Sequence, residues 1–116
     1  MTTSEIATVL AWHDALVSAD IETLAALSSD DIDLGDAHGA AQGHEALRTW
    51  ASSNPATTEL GKMYVHDGVV VAEQAGGAPG ALAFRVVHDQ VTSVFRHQDL
   101  ASALAATELT QADLVT

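Results

Sequence analysis

The chain has 116 residues, enough for one domain that buries roughly two thirds of the surface its unfolded form exposes. Apolar residues make up 47% of it, which excludes disorder, while 4 Lys and Arg against 16 Asp and Glu give a net charge of −12. That charge excludes a phosphate backbone or an anionic membrane as the main partner, and the lack of cysteine excludes disulfides, a thiolate nucleophile and zinc held by sulfur.

The N-terminus lacks the basic flank and apolar run of a signal peptide, and no apolar run has the length of a membrane span. A cytoplasmic protein is the expectation.

Thr2 and Glu5 have the spacing of a capping box. Ile6, Val9, Leu10, His13, Leu16 and Val17 then recur at helical spacing, so a first amphipathic helix is predicted to about Ala19. His13 falls inside its apolar stripe and Trp12 at the edge. Asp20 is placed to cap a second helix carrying Ile21, Leu24 and Leu27, and the run 28–31 ends it. Ile32 and Leu34 alternate with acids, which predicts a short half-buried strand reaching Asp36. Gly43 opens a third helix with Leu47, Trp50 and Ala51 on one face, closed by Asn54-Pro55.

Strands fill the rest. Thr58 to His66 is one, with Gly61 as a bulge. Asp67-Gly68 is a hairpin signal, followed by a strand from Val69 to Ala75. A loop over 76–80 leads to Leu82–Val87, a turn at His88-Asp89-Gln90, and a last strand from Val91 to His97. Asp99 or Ser102 caps a short helix over Leu100 to Ala106. A single domain over 1–106 followed by a tail or arm over 107–116 is expected. The order of elements predicts an α+β fold.

Several of these signposts occur together in a known superfamily. They are the Trp12–Leu16 face, Ala19-Asp20-Ile21-Glu22 between helices, Asp30-Asp31 before the strand, Gly43-His44-Glu45-Ala46-Leu47 at the third helix, and Asp99-Leu100 after the last strand. In these the chain resembles the nuclear transport factor 2-like superfamily, which includes SnoaL-like cyclases and ketosteroid isomerases. The resemblance covers about Ile6 to Ala106. It implies a cone: a curved, mixed, mostly antiparallel sheet wrapped by three N-terminal helices around one cavity. It also implies a homodimer formed through the sheet's outer face.

Ketosteroid isomerases use an Asp base with a Tyr and a protonated Asp as oxyanion donors. Asp36 matches the base. The tyrosine's position holds Trp12, a donor only, and the second acid's falls at Ala83, so steroid isomerisation by that mechanism is not implied. In limonene-epoxide hydrolases of the same superfamily the last strand carries an acid three residues before an Asp-Leu pair. Here Asp99-Leu100 is present and Arg96 holds the acid's place.

Within such a cone, Asp36 and His13 are the candidate catalytic residues. A carboxylate at an apolar mouth is raised toward a base that works near neutral pH, and a His–Asp pair is an acid/base unit. The simpler alternatives are a turn aspartate and a core histidine. Trp12, Trp50, Arg85 and Arg96 are the candidate ligand-binding residues. Three of the four basic residues lie inside strands, and the resemblance turns two of them, Arg85 and Arg96, toward the cavity to hold an oxyanion or an anionic group. The face Leu82-Phe84-Val86 is the more apolar one, however, and simple burial would place it inside instead.

The trio Asp36, His38 and His44 has ligand atoms, but loop spacing of this kind is common by chance, so no metal is expected. No cofactor is expected either, because Gly76–Gly80 lacks the lysine and helix of a phosphate loop. The expected partner is a small, largely apolar molecule with a carbonyl or acidic group.

Overall fold

A computed structural model describes residues 2–36, 39–53, 60–74 and 80–114, with the side chains of 2–4, 36, 52–53 and 74 outside that description. The chain runs α1 (Thr2–Val17), α2 (Ile21–Ala26), β1 (Ser28–Asp36), β2 (Gly39–Gln42), α3 (His44–Ser53), β3 (Leu60–His66), β4 (Val69–Gln74), β5 (Ala81–Val87), β6 (Gln90–His97) and α4 (Leu100–Thr107), then a 3-10 turn at Gln111–Asp113. The fold is α+β. One sheet orders the strands β2-β1-β6-β5-β4-β3, with β1 and β6 parallel and the other pairs antiparallel.

Local chemistry sets most of the boundaries. Ala19 turns left-handed (φ 57) after α1, and the Asp20 carboxylate accepts the Thr23 backbone N–H to start α2. Asp99 caps α4 in the same way, accepting the Ser102 N–H at 2.7 Å. Those hydrogen bonds favour the ionised carboxylate and lower its pKa. Asp67 and Gly68 both have positive φ, the conformation of a type I′ hairpin turn. Gly68 has a second reason to be glycine, since a Cβ there would stand 3.0 Å from the Val86 carbonyl. The β3–β4 register shifts between Leu60 and Met63, around Gly61.

Two elements differ from expectation. β1 begins at Ser28, not Ile32, because its start pairs with Val91 before the register shifts toward Asp33. β2 has no counterpart in the sequence reading. Its residues Gly39–Gln42 are all exposed, so no alternation of apolar and polar side chains marks them. The strand exists because it pairs antiparallel with the end of β1.

The two faces of the sheet are covered differently. On the inner face, α1, α2 and α3 pack Val9, Trp12, Leu16, Leu24 and Leu47 against Ile32, Leu34, Leu82, Phe84 and Val94. On the outer face, α4 and the chain beyond it pack Ala103 and Leu109 against Tyr64, Val71, Ala81 and Ala83. The segment after Thr107 is docked as an arm: Gln111 donates to the Tyr64 hydroxyl at 3.2 Å, and Leu114 bridges to Tyr64. No helix among the described residues is long and apolar enough to cross a membrane.

Candidate functional site

β1 and β6 are parallel and end at the same edge of the fold, where antiparallel β5 begins. Leu34 lies opposite Val94 and Gly35 opposite Phe95, so Asp36 and Arg96 come next along the two strands. That end of the inner face is the candidate site.

Arg96 is its best-defined member. It pairs across the sheet with Leu82, and Val94 pairs with Phe84, which puts Arg96 in an inner-face row. Its guanidinium carbon stands 5.7 Å from the Trp50 ring centroid. A cation over an indole face gains roughly 0.5–2 kcal/mol, more when water is excluded. The Arg96 Nε is buried and has no hydrogen-bond partner among the described residues. A buried donor left open has a strong claim on an incoming acceptor.

Trp50 is held by α3, whose start is tied down by His44. The His44 Nε2 lies 3.0 Å from the Ser29 carbonyl oxygen and 3.3 Å from that of Ser28. A carbonyl only accepts, so the ring proton sits on Nε2 and that nitrogen is occupied. His38 lies outside the described residues. Among the described residues no cluster of His, Asp or Glu could hold a metal ion.

Trp12 backs the site and does not face it. It is fully buried, tilted against Trp50 at 5.9 Å and edge-on to Phe84 at 5.5 Å. Its indole N–H donates to Ser28 Oγ at 2.9 Å, and that hydroxyl donates to the Leu24 carbonyl at 2.7 Å. The only polar atom of Trp12 is therefore already used.

Asp36 closes β1, its backbone opposite Gly39 in the β1–β2 pair. Its side chain lies outside the described residues, as does any pairing with His13. His13 is 8% exposed on α1. Burial lowers its pKa, and the neighbouring Asp14 carboxylate opposes that shift.

Arg85 requires a correction. It pairs with Val69 and Ser93 and is exposed on the outer face, so the two arginines point to opposite sides of the sheet. Ala83 is also an outer-face residue, packed in the cluster with α4. The residues β5 turns inward are Leu82, Phe84 and Val86, as simple burial of the apolar face predicts. A slip of one residue in the carried-over register moves every side chain of a strand to the other face. Sequence reasoning also missed the Trp12–Ser28–Leu24 relay, for which no local signal exists.

A scan of the sequence against protein-family models matches none. No curated protein matches it either. Solved structures do match. An NTF2-like protein of unknown function from Cytophaga hutchinsonii superposes with a TM-score of 0.73 at 13% identity, over 84% of this chain and 92% of that one. An LEH-like epoxide hydrolase from M. tuberculosis gives 0.71 at 19% identity, over 92% and 96%. A protein with a ketosteroid isomerase-like fold from Catenulispora acidiphila, in complex with trimethylamine, gives 0.64 at 23% identity, over 89% and 93%. The fold of this chain is the nuclear transport factor 2-like fold.

Proposed function

We propose that the chain binds a small, largely apolar molecule with a carbonyl or acidic group at the Arg96 end of the inner face, the mouth of a cone. The observation that supports this best is the Arg96 guanidinium over Trp50, with its buried Nε–H open among the described residues. A guanidinium in a dry setting holds a carboxylate or a developing oxyanion.

Asp36 is the general base in this reading, because its backbone ends β1 beside parallel β6, one position beyond the Gly35–Phe95 pair. The reaction class is proton abstraction beside a carbonyl, or activation of water on a similar substrate. The epoxide hydrolase among the structural neighbours supports including epoxides among the substrates tested. His13 is neutral at pH 7 in this reading, with burial holding its pKa down, and could accept a proton. A cytoplasmic location completes the proposal.

One observation favours a second reading, a non-catalytic binding module. Trp12, Phe84 and Leu47 fill the inner core, and the Trp12 N–H is already satisfied by Ser28. The test is a thermal-shift screen with steroids, polyketide-like aromatics, terpenoid epoxides and small keto acids. A ligand at a hundred times its Kd stabilises the native state by about 2.7 kcal/mol. The proposal expects a hit class that Arg96→Gln weakens. Turnover of a hit that survives Asp36→Asn unchanged would rule out Asp36 as base, and a hit bound without turnover would leave the binding module.

A further inference from the structure

The space behind Arg96 is filled. Trp12, Leu34, Leu47, Leu82, Phe84 and Val94 line the inner face from α1, β1, α3, β5 and β6, and each is only 0–1% exposed. At that exposure no space as large as a water molecule touches these side chains, whether open or enclosed. Trp12 is fixed where it stands. Its ring packs on Trp50 and Phe84, and turning it outward would break its bond to Ser28 Oγ. A ligand of steroid size needs a pocket of roughly 300–1,000 Å³ that covers most of its surface, and these six side chains leave no room for one. The mouth is different. Trp50 and Arg96 are both partly exposed.

Arg96 also lacks what a buried cation needs. Its Nε is covered and has no hydrogen-bond partner, and it makes no ion pair with a described residue, although the chain holds 16 acids against 4 bases. The Trp50 ring at 5.7 Å offsets only part of the lost hydration. A neutral carbonyl would bring one acceptor and no charge. A carboxylate brings two oxygens and the missing charge, the match for the Nε–Nη edge of a guanidinium. Because Nε is covered in the free protein, the side chain must turn on the Trp50 ring to present that edge, and the ligand selects the turned state.

We infer that the Arg96 site proposed above takes a small monocarboxylic acid as its anion, with a flat body about the size of one ring, and not a steroid, polyketide or neutral carbonyl compound. This deepens that reading and rests on it. The carboxylate pairs with Arg96 and the flat body lies on the uncovered part of the Trp50 ring. A second carboxylate would add only repulsion from a chain of net charge −12, so a dianion binds less well.

Nitrogen-15 spectra read both groups directly, since the chain has only three arginines, Arg48, Arg85 and Arg96, and two tryptophans. The probes are benzoate, benzamide, phthalate and androstenedione. Benzoate is expected to move the Arg96 Nε–H and Trp50 indole signals and to leave the Ser28-bonded Trp12 indole in place. It should bind roughly tenfold or more tightly than benzamide, the difference one charge-assisted contact makes, and more tightly than phthalate. Arg96→Gln should abolish the preference for acid over amide and Arg96→Lys should restore part of it, with an unmoved Trp12 signal showing an intact core. Benzamide binding as tightly as benzoate would overturn the choice of an acid and leave a carbonyl site at Arg96. Androstenedione binding that moves the Trp12 indole would overturn the filled interior and leave the site open to larger ligands. Tighter binding of phthalate would overturn the single charge. A shift of the Arg96 Nε–H in ligand-free Asp36→Asn would overturn the inference too, because the chain's own carboxylate would then hold the cation. If no probe moves either signal, the Arg96 site fails and the inference with it.

Discussion

Replacing Ser28 by alanine removes one oxygen and strands two buried partners. The Trp12 indole N–H loses its acceptor at 2.9 Å, and the Leu24 carbonyl loses its donor at 2.7 Å. Trp12 and Leu24 are both fully buried, and Ser28 is 1% exposed. An unsatisfied buried polar group costs about 1–3 kcal/mol, so the pair should cost roughly 2–6 kcal/mol. For a domain of this length that lowers Tm by roughly 8–24 °C. Urea unfolding followed by far-UV circular dichroism measures it without relying on Trp fluorescence. A cycle isolates the indole. In a Trp12→Phe background no N–H remains to be stranded, so Ser28→Ala should cost about 1 kcal/mol less there. The relay carries no such weight if Ser28→Ala falls within about 0.5 kcal/mol of wild type, or if the two substitutions are additive.

Other parts of the structure make further predictions. Gly35→Ala should cost about 1 kcal/mol by pushing on the Phe95 ring, and the cost should vanish in a Phe95→Ala background; thermal melts of the four proteins decide it. Leu109→Ala should cost about 2–4 kcal/mol, since Leu109 is buried against Tyr64; a loss under about 0.5 kcal/mol would mean the arm is dispensable. The buried His13 has its pKa lowered from 6.5, so below pH 6.5 the unfolded chain binds a proton that the native state resists. Stability should therefore fall as pH drops from 6.5 through the lower native pKa, and be unaffected by this group above 6.5. Urea midpoints from pH 7 to 5 should decline less steeply for His13→Gln than for wild type, and equal slopes would contradict the assignment.

Short-range chemistry was legible in the chain. Asp20 and Asp99 announce their helices because a carboxylate before a helical run accepts a free backbone N–H. Asp67-Gly68 announces its hairpin because both positions need positive φ. Resemblance of spacing carried the fold class, since the order of helices and strands follows from such local stops and starts. Trp50 and Arg96 were each legible as candidates, but that the guanidinium stands over the indole was not.

The sequence by itself determined the helix caps, the hairpin turns and which residues are too apolar to stay in water. Only the tertiary structure decided which strand faces meet. β6 turns both Val91 and Val94 inward because an extra residue, Thr92, interrupts the pairing with β5, so alternation counted along the chain fails there. Arg85 and Arg96 fall on opposite faces because Arg85 pairs with Ser93 while Arg96 pairs with Leu82. β5 begins with four buried residues because α4 covers the side that the inner helices do not. β2, wholly exposed, exists only through its neighbour. Register and coverage are relations between distant segments, and no single segment carries the signal for them.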